Sequence, residues 1–386
     1  MSKDTLAKVA AVRDDLAANL LERDTVIEAA MLALLTGEHL LLLGQPGTAK
    51  SLMVRSICER IADAGGPFEC LVTKFTTPEE ILGPLSLSAL EKDQYQRVTA
   101  GMLPEAHIAF LDEVFKANSA ILNSLLGIIN ERVYHEAGQA HPVPLLSLFG
   151  ASNETPEENG LAALYDRFLL RVVVPPLADD QSLRALFTLQ KSTPPAATIT
   201  LDELRAAQAE VAQLPLTDDA REAIISVKHG LEEQGIAASD RRWKACANLV
   251  RAKAFIEAEA ATSSDHCEIL VHALWSEPSQ IRVVERVVNK VSNPLNLEAV
   301  ELEDAAKDLY DQRPQPDHPD LTVALEPLLR QLSDIHTRLE QRIASVPAKR
   351  SLRARQALGK VETYHRALSQ LALKSLSRMH LAPGAA

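Results

Sequence analysis

The sequence predicts an α/β fold: a three-layer α/β/α domain, then an all-helical domain, then a C-terminal helical bundle. Short apolar segments alternate with amphipathic helical segments over the first half of the chain, the pattern of a parallel sheet with helices on both faces. From Thr200 onward, apolar residues recur only at helical spacing. Proline-containing breaks separate these regions, so we expect domains at 1–192, 199–293 and 297–386, with a linker at 311–320.

Five apolar segments are the candidate strands of the sheet. They lie at 39–43, 68–75, 108–111, 145–151 and 171–174. Helices precede the first strand over 2–36, and Gly37 is placed to close them as a C-cap. Two further segments, 86–101 and 132–144, combine turn residues with β-formers and resemble hairpins.

The C-terminal region carries leucine stripes at coiled-coil-like spacing. One stripe runs over 321–343 and a second over 358–371, so we expect a helical hairpin. Packing inside a helical bundle is the favoured interpretation, and an exposed dimerisation zipper is the alternative.

The composition is that of a globular protein and argues against two kinds of partner. Of 386 residues, 46% are hydrophobic and 24% are charged. The formal net charge of −12 argues against a general affinity for nucleic acid or for anionic membranes. The N-terminus shows no signal-peptide pattern, and no apolar run approaches the ~20 residues that span a bilayer, so we expect a cytoplasmic protein.

The cysteines predict free thiols in a reducing compartment. None of the four forms a C-x-x-C pair. His266, Cys267 and His272 lie close together in sequence, but their spacing does not place three ligands on one helical face. A zinc site is therefore not expected.

A phosphate-binding loop is predicted at Gly44–Ser51, between the first strand and a helix. Loop amides and a helix N-terminus together bind anionic oxygens. Lys50 is expected to meet the outer phosphates, and the Ser51 hydroxyl to help hold magnesium. Ala49 stands where the strict pattern has glycine; if the helix has already begun there, φ is negative and alanine carries no penalty. The alternative is an ordinary strand-to-helix turn.

Two acids, Asp112 and Glu113, follow the buried strand at 108–111. Acids in such a place are costly unless they meet a cation or do chemistry. Asp112 is expected in a magnesium shell, and Glu113 is expected to polarise an attacking water. The alternative is that Asp112 caps a helix.

These motifs resemble those of the MoxR group of AAA+ ATPases, and within it the RavA-like members, over about residues 10–290. Gln45–Ser51 matches the group's Walker A motif, alanine included, and Phe110–Glu113 matches its Walker B motif. The resemblance implies an AAA+ P-loop domain with a helical lid, and ATP with Mg²⁺ as its ligands. It assigns the nucleotide to Gly44, Gln45, Pro46, Gly47, Thr48, Ala49, Lys50, Ser51, Leu52, Val26 and Ile27. For the last two, which the family places near the adenine, plain core packing is the alternative.

The resemblance also implies residues that act on the γ-phosphate. Asn153 matches sensor 1, and a plain turn residue is its alternative. Arg167 matches the arginine finger that completes a neighbouring subunit's site, with Arg171 as the fallback; a surface ion pair is its alternative. Arg241 matches sensor 2, and Arg242 is close enough in sequence to be an alternative.

The function that the resemblance implies is an ATP-hydrolysing chaperone or remodelling motor. Such motors form a hexameric ring in the family, and their usual partner carries a von Willebrand factor A domain. The two hairpin candidates, 86–101 and 132–144, match two inserts that face the central pore of the ring in the family. The C-terminal hairpin resembles the RavA helical extension without the inserted β-rich domain that contacts a lysine decarboxylase. The rival interpretations are a nucleic-acid-translocating AAA+ protein and a nucleotide-switched assembly scaffold.

Overall fold

The computed structural model describes residues 3–156, 161–188, 194–315, 318, 320–345 and 351–381. Its contacts group the chain into two compact units, Met1–Ile224 with Ala237–Ser279, and Ile225–Ile236 with Gln280–Ala386. The domain boundaries expected from the sequence, at 192 and 293, remain predictions.

A five-stranded parallel sheet forms the centre of the first unit, in the order β3-β4-β7-β1-β8. Its strands are β1 (Leu40–Leu43), β3 (Phe68–Leu71), β4 (Ile108–Asp112), β7 (Ser147–Ser152) and β8 (Leu170–Val173). Every residue of β1 and β7 is buried, as expected for strands with helices on both faces. The predicted α/β fold is confirmed.

The second predicted strand is shorter than expected. It ends at Leu71, because the backbone turns at 73–76, where N of Thr73 donates to Oγ1 of Thr76 at 2.9 Å. N of Phe75 donates to Oγ1 of Thr73 at 3.1 Å. Threonine side chains compete with the strand ladder for backbone groups, and here they close the turn.

Helices alternate with the strands in the first half of the chain. They are α1 (Lys3–Asn19), α2 (Asp24–Thr36), α3 (Lys50–Glu59), α6 (Ser119–Glu131), α7 (Ala162–Arg167) and α8 (Asp180–Thr188). Gly37 ends α2 with φ of 69°, which confirms the predicted left-handed cap. A short parallel pair, β2 (Ile61–Ala62) with β9 (Ile199–Thr200), lies outside the main sheet.

The first predicted hairpin is only partly correct. After α4 (Pro78–Leu82), one antiparallel bridge joins Leu85 to Arg97. The intervening chain forms a helical turn, α5 (Leu87–Leu90), because Ser86 caps it by accepting a hydrogen bond from N of Ala89 at 3.3 Å. A 3₁₀ turn, Leu103–Glu105, then leads to β4.

The second predicted hairpin is confirmed. Strands β5 (Val133–Glu136) and β6 (Gln139–Pro142) pair antiparallel. Ala137 and Gly138 connect them with φ of 48° and 78°. Positive φ at both central residues is the geometry of the two-residue hairpin turn whose twist matches the strands.

Beyond β9 the structure is helical. The elements are α9 (Leu201–Gln213), α10 (Asp218–Glu232), α11 (Asp240–Ile256), the 3₁₀ segments Ser264–His272 and Pro278–Gln280, α12 (Ile281–Ser292) and α13 (Pro294–Asp311). Thr200 and Glu203 form a capping box at the start of α9, a pattern that the sequence T-x-x-E contains.

The C-terminal hairpin consists of α14 (Leu321–Ala344) and α15 (Leu352–Leu381), which pack with α13. Both leucine stripes point into this bundle, and their fully buried members are Leu321, Leu325, Leu332, Leu339, Val361 and Leu368. The interpretation as bundle packing is confirmed.

A buried carboxylate stabilises the same bundle. Glu303 on α13 is 1% exposed and accepts hydrogen bonds from Arg282, from Arg353 at 2.7 Å and from Lys360 at 2.8 Å. These cations compensate the cost of burying the charge.

All four cysteines are free thiols, and Cys58, Cys246 and Cys267 are buried. Burial raises the pKa of each of these three thiols to about 12. None of the described helices combines the length and the apolar character that a membrane crossing requires.

Candidate active site

Three predicted site segments meet at one edge of the sheet. Strands β4, β7 and β1 are parallel neighbours, so their carboxyl ends lie at the same edge. The register pairs Leu43 with Ser152 and Leu111 with Gly150. The phosphate loop, Asp112 and Asn153 therefore leave the sheet together.

The phosphate loop leaves no room for a side chain at its start. A Cβ on Gly44 would lie 2.4 Å from the carbonyl oxygen of Val174. Gly47 has φ of +85°, and a Cβ there would meet nothing within 4 Å, so this side of the loop is open. Oγ1 of Thr48 donates to the carbonyl of Gln45 at 2.9 Å and closes the loop on itself.

Lys50 lies folded over its own loop. Its Nζ donates to the carbonyl oxygens of Gly44 at 2.7 Å and Gln45 at 3.0 Å. Burial lowers the pKa of Lys50, and the carboxylates of Asp112 and Glu113 oppose this shift. Both acids are therefore within electrostatic reach of the loop lysine.

Ala49 corrects one expectation. It has φ of 63° and ψ of 27°, in the left-handed region, and it is the N-cap of α3. The expected negative φ is wrong because the helix begins one residue later, at Lys50. The left-handed region costs an alanine about 1–2 kcal/mol. Glycine would adopt it freely, which is the physical reason that the strict pattern has glycine here.

Asp112 is the last residue of β4, and Glu113 follows it in a strained turn. Oδ1 of Asp112 accepts a hydrogen bond from N of Glu113 at 3.0 Å. Glu113 has φ of 53° and ψ of 40°, and its carboxylate lies 3.3 Å from Nζ of Lys116. The nearby helix α6 is capped by Asn118, whose Oδ1 accepts from N of Ala120 and Ile121. Capping of that helix therefore does not explain the acids, and left-handed non-glycine residues are enriched at functional sites.

Asn153 comes directly after β7 and is exposed. Its position is set by Ser152, whose Oγ donates to the carbonyl of Glu154 at 2.7 Å and accepts from N of Glu154 at 3.2 Å. Asn153 therefore stands between the phosphate loop on β1 and the acids on β4, as a residue acting on the γ-phosphate must.

The residues at this edge fit a nucleotide phosphate with magnesium. The first amides of α3 have no partners within the helix, and the positive φ values at Gly47 and Ala49 turn the loop into a cradle for an anion. No carboxylate lies within ion-pair distance of Lys50 in the described part of the chain. Ser51 and Asp112 offer the oxygen ligands that magnesium prefers.

The two residues that the resemblance places near the adenine are buried. Val26 and Ile27 on α2 are only 4% and 2% exposed, which agrees with the alternative interpretation that they pack in the core. Leu52, in the first turn of α3, is 53% exposed.

The predicted arginines lie at the opposite edge of the sheet. A cavity of about 260 Å³ is lined by Glu38, Asp166, Arg167, Leu169, Arg241, Arg242, Lys244, Ala245 and Asn248. Glu38 precedes β1 and Leu169 precedes β8, and Leu40 pairs with Leu170 at the amino ends of these parallel strands. The length of β1, about 13 Å at 3.3 Å per residue, separates this edge from the phosphate loop. Arg167 and Arg241 thus lie together, away from Lys50 of the same chain.

The two candidates for the arginine finger, Arg167 and Arg171, differ in burial. Arg171 is 2% exposed, donates to the carbonyls of Trp275 and Tyr165, and lies 3.9 Å above the Tyr165 ring. The Arg171 guanidinium is therefore held by backbone carbonyls of the same chain. Arg167 is partly exposed, and its buried Nε has no hydrogen-bond partner among the described residues.

The two candidates for sensor 2, Arg241 and Arg242, also differ in burial. Arg242 is 6% exposed and donates to the carbonyls of Ala273 at 2.7 Å and Asp166 at 2.8 Å. Arg241 is exposed at the cavity. Burial raises the pKa of Glu38 there, and nearby cations including Arg241 oppose the shift. Arg241 is therefore the one available to a ligand.

Two features of the site were not anticipated from the sequence. The pairing of Glu113 with Lys116 follows from i,i+3 spacing, a signal that the sequence does contain. The presence of Glu38 and Arg241 around one cavity has no local signal, because the two residues are far apart in sequence and share the cavity only in the folded chain.

The chain is similar to known proteins over most of its length. A family model described as the MoxR domain in MoxR-vWA-beta-propeller ternary systems matches residues 7–213, and a model of an AAA lid domain matches residues 219–288. One uncharacterized protein of Methanocaldococcus jannaschii is 42% identical over 73% of this chain and 75% of its own. A second from the same organism is 39% identical over 80% of this chain and 81% of its own.

More distant similarities are consistent with these. The chaperone MoxR1 of Mycobacterium tuberculosis is 25% identical over 46% of this chain and 47% of its own. A crystal structure of a proposed ATPase from Cytophaga hutchinsonii shares the fold, with a TM-score of 0.61 and 17% identity over 75% of this chain and 96% of that one. With a family model matching more than half of its residues, the chain belongs to the MoxR family of AAA+ ATPases.

Proposed function

We propose that this chain is a RavA-like chaperone or remodelling motor that hydrolyses ATP at the subunit interfaces of a hexameric ring. The observation that carries the proposal is the division of the predicted site between two edges of the sheet. Lys50 and the acid pair lie at one edge, and Arg167 with Arg241 lies at the other. An arginine that cannot reach its own phosphate loop serves the loop of a neighbouring subunit.

Each residue of the phosphate-loop edge has a task that its position supports. Lys50 exchanges the carbonyls of Gly44 and Gln45 for phosphate oxygens, and Ser51 and Asp112 hold Mg²⁺. When bound, ATP with Mg²⁺ supplies the phosphoryl group that water attacks. Glu113 accepts a proton from that water, and Asn153 orients it.

The neighbouring subunit supplies positive charge. Arg167 is the arginine finger, and Arg241 acts beside it on the same phosphate. A finger provided in trans is worth about 10³–10⁵ in turnover. Turnover therefore depends on assembly, which makes the ring part of the catalytic machinery.

The partner is proposed to be a protein with a von Willebrand factor A domain, acting with this chain in the cytoplasm. The family model takes its description from systems that combine MoxR, vWA and beta-propeller proteins. The proline-containing linker at 311–320 leaves no room in the sequence for the β-rich insert of RavA, so a lysine decarboxylase is not the proposed partner. A protein client contacts the two inserts, β5–β6 and the segment around Leu85–Arg97.

Translocation of nucleic acid is not supported by the first insert. Arg97 donates to the carbonyl of Gly83 at 2.7 Å and lies 3.6 Å from the carboxylate of Glu79. Its side chain is 12% exposed, so it is not available to a phosphate backbone. The net charge of −12 points the same way.

The test is Glu113→Gln. The variant is expected to bind Mg²⁺–ATP with unchanged affinity and to lose turnover about 10²–10⁴-fold, since the general base is gone. Glu222→Gln, an exposed change on α10, is the matched control. Light scattering with and without a non-hydrolysable ATP analogue measures ring assembly. Wild-type turnover in Glu113→Gln would refute the assignment of the base, and a nucleotide-saturated monomer with full activity would refute the shared site.

A further inference from the structure

Glu113 is paired with a cation in this structure. Its carboxylate lies 3.3 Å from Nζ of Lys116, three residues along the chain. The intervening 3₁₀ turn, Val114–Lys116, places side chains three apart above one another. N of Lys116 also donates to the carbonyl of Glu113 at 2.8 Å. The pairing is therefore set by the backbone of the turn.

The turn itself is clamped on both sides. The Phe115 ring meets Tyr165 and Phe168 edge-on, with centroids 5.6 Å and 6.5 Å away. Two residues after Lys116, Nδ2 of Asn118 donates to the carbonyl of Thr76 at 2.9 Å. With the backbone held at both ends, a change in the pairing requires rotation of the Glu113 and Lys116 side chains.

The Lys116 and Glu113 side chains can rotate, unlike the backbone between them, because both are partly exposed to solvent. The Lys116 side chain is 47% exposed and the Glu113 side chain 20% exposed. Ion pairs with this much solvent contact are weak and are screened by salt. The contact can thus break and re-form readily during a catalytic cycle.

We propose that Lys116 is a positioning residue that restrains Glu113 in the resting site and slows hydrolysis. The inference rests on the proposed function, in which Glu113 accepts a proton from water. The ammonium group attracts the carboxylate at 3.3 Å, and this ion pair must break before Glu113 turns toward the water. Because the pair is weak, the restraint lowers turnover by about two- to fivefold.

The first test examines the nucleotide-free protein. Acylation by an N-hydroxysuccinimide ester at constant pH, followed peptide by peptide with mass spectrometry, measures how freely the Lys116 amine reacts. In Glu113→Gln the Lys116 rate is expected to rise at least about twofold, since the ion pair is lost. Lys228, paired with Glu232 at 3.5 Å, is the internal reference and keeps its rate. Equal Lys116 rates in the two proteins would show that the pair does not form in solution and would overturn the proposal.

The second test measures turnover. Lys116→Met is expected to raise kcat about two- to fivefold with unchanged KM and nucleotide affinity, and added salt narrows the difference from the wild type. Lys116→Arg keeps wild-type kcat because it keeps the charge, and Lys228→Met is the control. An unchanged or lower kcat in Lys116→Met overturns the inference. If Glu113→Gln is inactive when this happens, the proposed function stands; if Glu113→Gln is fully active, both fail.

Discussion

The backbone N–H of Gly44 donates a hydrogen bond of 3.0 Å to the carbonyl oxygen of Ser152. The bond continues the β1–β7 ladder beyond its last register pair, Leu43 with Ser152. Gly44 and Asn153 consequently leave the sheet side by side. This short link fixes the sensor candidate against the phosphate loop, although more than a hundred residues separate them in sequence.

Mixing two inactive variants is expected to restore activity. Arg167→Ala keeps an intact phosphate-loop edge, and Glu113→Gln keeps an intact arginine edge. In a mixed ring, interfaces that join the two intact edges form, so we expect turnover well above that of either variant alone. The measurement is phosphate release across mixing ratios, with Glu113→Gln plus Lys50→Ala as the control, since both of those changes damage the same edge. Mixtures no more active than their components would contradict a shared site.

Substitutions of Arg171 and Arg167 are expected to differ in their effect on the stability of the protein. Arg171→Met leaves the carbonyl of Trp275 without the Arg171 donor and removes one of the two donors to the carbonyl of Tyr165, which also accepts from N of Phe168 at 3.2 Å; the change should lower the free energy of unfolding by about 2 kcal/mol. Arg167→Ala should change it by less than about 0.5 kcal/mol, since its Nε has no partner to lose within the described residues. Urea unfolding followed by the fluorescence of Trp243 and Trp275 measures both. A large loss of stability in Arg167→Ala would mean that Arg167 is structural.

Ala49→Gly is expected to stabilise the protein by about 1 kcal/mol, because it removes the cost of a left-handed alanine. The gain is partly reduced by the greater freedom of glycine in the unfolded chain. Ala106→Gly is the matched control, since Ala106 has φ of −80° and gains only that freedom; it should destabilise by about 0.4–1 kcal/mol. Thermal unfolding followed by tryptophan fluorescence measures the stability change of each variant. Destabilisation by both changes to the same extent would contradict the strain at Ala49.

The C-terminal bundle is expected to weaken in acid. Burial raises the pKa of Glu303, but the Arg353 and Lys360 charges and the Lys360 and Arg282 hydrogen bonds outweigh it and bring the pKa to about 2. A carboxyl group with a depressed pKa in the fold stabilises it above its unfolded value of 4.5, and this contribution is lost as the pH falls toward 2. The loss amounts to about 3 kcal/mol.

Hydrogen exchange of α15 peptides between pH 6 and 3 measures about 2 kcal/mol of this loss, and the remainder occurs below pH 3. The wild type should lose protection as the pH falls, after correction for the intrinsic rate. Glu303→Gln should start less protected and change little. Glu301→Gln, an exposed change on the same helix, should follow the wild type. A pH response in Glu303→Gln equal to that of the wild type would assign the effect to other groups.

Local patterns were sufficient for most of the elements. Gly37, Thr200 and the Ala137–Gly138 turn each form the cap, box or hairpin that their sequence predicts, because these structures depend on neighbouring residues only. The segment around 86–101 was harder to predict, since one capping serine, Ser86, converts part of a strand-like segment into a helical turn.

By itself, the sequence determined the fold class and the candidate site: a predicted phosphate loop at 44–51, the acids Asp112 and Glu113, and the order of strands and helices that brings them to one edge. Only the tertiary structure decided which of the candidate arginines are buried and at which edge of the sheet they lie. Arg171 and Arg242 differ from Arg167 and Arg241 in burial and in the backbone carbonyls that they meet, and those carbonyls come from distant parts of the chain. The spacing of residues along the sequence does not predict such contacts, because they form only when helices and strands pack together. The left-handed backbone at Ala49 was also decided by the tertiary structure, since the closed loop imposes a conformation that alanine rarely adopts.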